Sequence, residues 1–297
     1  MAGKLQFEPI LHSVSYAGVW PGQARLTLDA FLDKASALGF PAVMLMAKRP
    51  HLSVLDYDRE GCLRLREAME VRGLRCAVLA GYNNFSADAE HPDIPQRELQ
   101  ISHIEGLCRR ARDLGAPVVR IFTAYDHPSY ATHLLVETLR EAAERAAAFD
   151  VVMGVQNHHD TASHYLSFLD LLAAVNHPNC KACFDAWTPA LQGDDLAVTA
   201  RLLAPHMVHT TAADYQMRPR FHYNPKQVNF EPATAAVQAV PMGRGFIDYA
   251  AFLRTLHEAG YTGGVAYEMC SPLSGGGSEE NLDRCARIFL EWISKLG

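Results

Sequence analysis

The chain has 297 residues, 49% of them hydrophobic and 20% charged, with a formal net charge of -6. A hydrophobic fraction near one half excludes a disordered or low-complexity chain, and the acidic balance speaks against a nucleic-acid partner, which needs a basic surface. No apolar run approaches the ~20 residues of a membrane span. Met1 to Phe7 lacks a basic stretch followed by an apolar core, so no secretory signal is expected; no membrane partner is expected either, and the expected compartment is the cytoplasm.

Short apolar runs alternate with longer stretches of helical spacing. Ile10 to Tyr16 reads as the first strand. Leu28, Phe31, Leu32, Ala35 and Leu38 then recur at helical spacing behind Thr27 as N-cap. Gly39 ends that helix, and Pro41 to Met46 is the second strand. Leu74 to Leu79 is the third. A helical stripe from Ile101 to Leu114 leads to the fourth, Pro117 to Phe122. A helix near 131–148 precedes Val151 to Val155, and another precedes Cys180 to Phe184. A shorter helix near 194–203 leads to Met207 to Thr211. Residues 214–244 read as one long, proline-containing loop insertion. Asp248 caps the next helix, Gly264 to Glu268 is the eighth strand, and Ser278 starts the last helix.

Nearly all-apolar strands suit a parallel sheet buried on both faces. Eight strand–helix units in this length predict a single (β/α)8 TIM barrel over residues 1–297, although length alone also allows two domains. An open doubly wound sheet would carry a glycine-rich turn after the first strand, which Ser15 to Trp20 matches poorly. The seven cysteines are odd in number and scattered, so they form no disulfide framework, and Cys180 and Cys183 read as core residues along a strand.

Chemistry in such a barrel sits at the C-terminal strand ends. His51, His127, His158, His159, His209 and His222 fall at or after predicted strand ends. Three segments converge there: Gly154 to Asp160, Phe184 to Pro189 and Tyr267 to Pro272. Alternation puts Gln156 and His158 on one face. Asp185 and Glu268 each follow an apolar strand directly, where an unpaired carboxylate is costly and a divalent cation would compensate it. Loop capping or an arginine partner is the plainer alternative for Asp185.

These segments resemble the xylose isomerase-like barrels, specifically the sugar phosphate isomerase/epimerase family. Cys183-Phe-Asp185, Gly263 to Glu268 and Pro241 to Asp248 carry the likeness. The resemblance implies one divalent metal, Mn2+ or Mg2+, held by a Glu of the fifth strand, an Asp after the sixth, a His on the seventh and a Glu ending the eighth. Here the fifth-strand position is Gln156, and counting back from Asp214 puts Thr211, not a histidine, on the seventh. The ligand set is therefore read as Gln156, Asp185, His209 and Glu268, with His209 the nitrogen ligand or a packed strand histidine.

The implied reaction is proton abstraction beside a sugar carbonyl through an enediolate, which a metal would stabilise. Glu268 is the candidate base and His158 the acid/base partner, since histidine titrates near neutral pH. Trp187, His159, Arg218 and Arg220 are the candidate substrate contacts, the two arginines on the 214–244 insertion. Gln156 carries no charge and cannot be a second base. Isomerisation or epimerisation is therefore kept beside keto-sugar β-elimination, a catalytically silent sugar- or partner-binding barrel, and an apurinic endonuclease, which the net charge disfavours. The partner expected is a small carbohydrate, and the resemblance implies a homo-oligomer.

Overall fold

The computed structural model describes residues 7–86, 93–125 and 132–296. In chain order come β1 (Pro9–His12), α1 (Leu28–Leu38), β2 (Ala42–Met46), α2 (Arg59–Val71), β3 (Arg75–Ala80), α3 (Gln96–Leu114), β4 (Val118–Ile121) and α4 (Thr132–Ala147). Then follow β5 (Val152–Gln156), α5 (His159–Ser163), α6 (Tyr165–Val175), β6 (Cys180–Cys183), α7 (Trp187–Gln192), α8 (Leu196–Leu203) and β7 (Met207–Ala212). An antiparallel pair, β8 (Asp214–Asn224) and β9 (Asn229–Val240), leads to α9 (Tyr249–Glu258), β10 (Val265–Tyr267) and α10 (Glu279–Ser294).

Eight of these strands close a parallel barrel in the order β1-β10-β7-β6-β5-β4-β3-β2. This is the TIM barrel that the strand count predicts. The predicted caps hold α1, α9 and α10: Thr27, Asp248 and Ser278 accept from the backbone N–H of Ala30, Ala251 and Asn281. Between helices and strands the packing is aromatic in places, with Tyr267 stacked 4.7 Å from Phe289 and Phe289 stacked on Phe40. A buried Phe at such a position contributes about 3–5 kcal/mol.

Ile10, Met44, Val78, Val118, Cys183 and Ala266 fill the barrel interior. A Cβ at position 154 would collide with Cys183 Sγ, so glycine is what lets this layer close. Cys180 packs in the outer layer. Burial pushes both thiols up to about 12, which fits core packing and not redox chemistry.

Two expected elements differ. The first strand stops at His12, and Ser13–Tyr16 form a buried 3-10 turn. There Ser13 Oγ accepts from the Met46 N–H and Ser15 Oγ from the Met269 N–H, so side-chain oxygens replace strand pairing. The 214–244 segment is not a loop but a β-ribbon, registered from Asp214 opposite Val240 to Asn224 opposite Asn229. Its prolines suggest irregular chain, yet the ribbon absorbs Pro219 in a register shift between Arg218 and Arg220, where no ladder N–H is needed.

Candidate active site

The strand ends open into one cleft with two lobes. The first, about 490 Å³, is lined by Asp185, Trp187, Thr211, Tyr215 and Tyr249 among others. The second, about 520 Å³, is lined by Lys48, Tyr82, Asn84, Gln100 and Arg120 among others. Gln156, His158, His159, Glu268 and Cys270 line both and form the seam between them. A larger hollow of about 720 Å³ lies against Leu28, Tyr57 and Arg110, and only loop and helix residues line it.

Register places the seam. Gln156 ends β5 opposite Cys183 of β6, and Asp185 stands two residues beyond. Thr211 of β7 lies opposite Ala266 of β10, and Glu268 follows that strand with its N–H on the Ala212 carbonyl at 3.1 Å. Asp185 is held from several sides. Gln156 Nε2 donates to its Oδ2 at 2.9 Å, and Thr211 Oγ1 donates to the same oxygen at 3.2 Å. The Trp187 N–H donates to Oδ1. Asn157 clamps the backbone, accepting from the Asp185 N–H and donating to its carbonyl. Burial pushes the Asp185 carboxyl up to about 6 against these donors, and the charge of Glu268 adds to the rise.

Glu268 keeps 18% of its side chain accessible, and His12 Nε2 lies 3.8 Å from its Oε2. His12 accepts from the Val14 N–H through Nδ1, so the neutral ring carries its proton on Nε2, the nitrogen nearer Glu268. Burial holds His12 well below the ordinary histidine range, and the charge of Arg120 adds to this. Sequence reasoning missed His12, Asn157, Lys48 and Arg120. Arg120 was legible as a lone charge in the apolar run Pro117 to Phe122; His12 was hidden in a segment read as plain strand.

The predicted residues divide. Gln156, Asp185, Glu268, His158, His159 and Trp187 all line the cleft. His209 does not line either lobe. It is buried in β7, lowered to about 3 by burial and by Arg120, with Nε2 unpartnered among the described residues. A register shift between β6 and β7 sets Cys183 opposite His209, and Thr211 takes the place beside Asp185. Arg218 and Arg220 also line neither lobe. They are exposed on β8, whose residues are exposed from Met217 to Tyr223. His158 accepts from the His159 N–H through Nδ1. The cleft walls, then His159 and Arg120, lower it to about 4, so it is neutral at pH 7 and donates only through Nε2–H. His51 is a buried structural group bonded to Ser13 Oγ, His222 pairs with Glu231 on the ribbon, and His127 lies outside the described residues. Asp214, buried, holds the 241–248 turn by accepting from the Gly245 N–H, where a side chain would collide with it.

The donor set does not fit the divalent metal that the resemblance implies. The Gln156 amide turns its nitrogen, not its oxygen, toward Asp185, and the Thr211 hydroxyl donates to the same carboxylate oxygen. The Gln156 N–H and Thr211 O–H hydrogens take both electron pairs of Oδ2 that a cation would share. Among the described residues no three His, Cys, Asp or Glu side chains converge as a metal-binding group.

A family profile described as xylose isomerase-like TIM barrel matches residues 32–291, and the chain belongs to that family. Among solved structures it is similar to D-psicose 3-epimerase with D-tagatose from Clostridium cellulolyticum H10. The identity is 17% and the TM-score 0.74, over 97% of this chain and 99% of that one. The probable 3-DHS dehydratase AsbF from Bacillus anthracis gives 17% and 0.72, over 95% and 98%. A xylose isomerase-like TIM barrel protein from Mycobacterium smegmatis in complex with magnesium gives 14% and 0.70, over 100% and 98%. A search of curated protein sequences found no match. No helix among the described residues is long and apolar enough to cross a membrane.

Proposed function

We propose that the chain is an enzyme that moves a proton at the carbon beside a carbonyl in a carbohydrate, as an isomerase or epimerase. The observation that carries this reading is the pairing, in one cleft, of an accessible carboxylate at Glu268 with a buried carboxyl at Asp185 pushed up to about 6. Two carboxyls in unlike surroundings are suited to unlike roles. Glu268 takes the proton from carbon. Protonated Asp185 gives its proton to the carbonyl oxygen, which yields a neutral enediol. Glu268 returns the proton to the neighbouring carbon while the second enediol hydroxyl gives its proton back to Asp185, which completes isomerisation. In epimerisation the opposite face of the same carbon takes its proton from solvent, Glu268 gives its own proton to solvent, and the first hydroxyl returns its proton to Asp185. His158 hydrogen-bonds a substrate oxygen through Nε2–H, and Trp187 borders the ring.

No Mn2+ or Mg2+ enters this reading, because Gln156 and Thr211 present hydrogens to Asp185. The Asp185 proton takes over neutralisation of the developing oxyanion. The same two carboxyls would also serve β-elimination, in which Asp185 protonates a leaving hydroxyl. The epimerase and dehydratase among the structural neighbours support the class and leave the choice to the product.

The test is proton exchange in D2O over a panel of ketoses and keto-acids, read by NMR. Wild type is expected to place solvent deuterium on the carbon beside the carbonyl. Glu268→Gln should lose that exchange by ~10³-fold, within the range of one acid–base group. Exchange that survives the substitution would remove Glu268 from the reaction.

A further inference from the structure

We propose that the second lobe is an oxyanion subsite in which Arg120 and Lys48 receive a carboxylate or phosphate of the substrate, making that substrate an acidic carbohydrate derivative. The proposal rests on the reading of the cleft as a carbohydrate site, but its binding can be measured without turnover.

Arg120 rises from β4 and is only 2% exposed. Nη1 donates to the Gly81 carbonyl at 2.9 Å, while the buried Nε has no acceptor among the described residues. Its guanidinium carbon lies 4.1 Å over the Phe122 ring and 5.1 Å over Tyr82. Lys48 Nζ sits 3.8 Å over the same Tyr82 ring. Neither cation forms an ion pair among the described residues. Like charges gathered in one partly dry cavity are costly until an anion joins them. Partial burial and the charge of Arg120 accordingly lower Lys48.

The neighbouring amides are oriented for the same task. Gln100 Oε1 accepts from the Asn84 N–H, and Asn84 Oδ1 accepts from Ser86. Their oxygens are engaged, and among the described residues the two amide nitrogens donate to no acceptor, which leaves them for a ligand. The lobe thus offers two cations and N–H donors, and Glu268, the one carboxylate among its described lining residues, stands at the seam with the proton-transfer lobe. An acidic sugar lying across Glu268 would set its anion in one lobe and its carbonyl in the other.

The experiment titrates D-gluconate, D-glucose 6-phosphate, inorganic phosphate and uncharged D-glucitol into wild type, Lys48→Met, Arg120→Met and Glu268→Gln by calorimetry, with thermal melts to confirm folding. At least one anionic polyol should bind about tenfold or more tightly than D-glucitol, the effect of one charge-assisted contact. Gluconate binding alone marks a carboxylate, and 6-phosphate binding together with inorganic phosphate marks a phosphate. Lys48→Met should cut the preference severalfold and Arg120→Met abolish it. If Arg120→Met does not fold, the exposed Lys48→Met decides. Equal binding of charged and neutral polyols by wild type, or a preference unchanged in every folded cation variant, overturns the proposal. Glu268→Gln should keep anion binding while losing exchange, so failure of the proton-transfer reading and failure of the subsite give different results.

Discussion

The two lobes of the cleft share a seam and differ in how their charges are met. In the first, Asp185 Oδ2 accepts from Gln156 and Thr211 and its Oδ1 from the Trp187 N–H, all supplied by the protein. In the second, among the described residues, Arg120 has one backbone acceptor and a spare buried N–H, and Lys48 has only an aromatic face. A lobe closed on itself is suited to holding a carboxyl at a chosen protonation state. A lobe with donors left over is suited to taking a ligand. The same barrel mouth therefore separates proton handling from recognition, with Glu268 between them.

The sharpest way to break that comparison is the loss of exchange expected for Glu268→Gln. Next comes the metal question. Gln156→Glu combined with Thr211→His would rebuild the ligand set that the resemblance implies. The double variant should gain one tightly bound Mn2+, read by elemental analysis and a raised Tm. Wild type should hold none after purification and keep its Tm after chelator treatment. Stoichiometric metal in wild type would show that the amide and hydroxyl can turn away from Asp185.

A smaller effect follows from Asp185. Its pKa is raised from 3.8 to about 6, so the folded state binds the proton more tightly than the unfolded chain does. Stability contributed by that proton is present at low pH and is lost as pH rises through about 6. Asp185→Asn should therefore be more stable than wild type at pH 8, by at most about 3 kcal/mol. The advantage should shrink toward zero near pH 4 in denaturant melts. A pH-independent difference would mean that the lost hydrogen bonds, not the charge, set the outcome. The smallest effect belongs to the ribbon: Arg218→Gln and Arg220→Gln should change turnover less than about twofold, because exposed side chains outside a site carry little. A tenfold loss would bring the ribbon over the cleft in solution.

Much of this was legible in the chain itself. Asp185 and Glu268 stand out because each ends an apolar run, and strand ends are where a barrel exposes side chains to a ligand. Gln156 was readable for the same reason. The nitrogen ligand was not: period-2 counting equates His209 with Thr211, whereas the register shift against β6 buries the histidine and leaves the threonine on Asp185. Nor could counting reveal that His12 lies beside Glu268, since 256 residues separate them and only the β1–β10 closure joins them.

The sequence by itself determined the alternation of strands and helices, the caps that start α1, α9 and α10, and the carboxylates at strand ends. Those are local matters of hydrophobic period, capping chemistry and chain order. Tertiary structure alone decided which donors meet Asp185, which cations have no ion pair among the described residues, and that the 214–244 segment forms a ribbon whose arginines are exposed and line neither lobe. These depend on barrel closure and inter-strand register, which bring distant segments within hydrogen-bonding distance and leave no mark in any one stretch of chain.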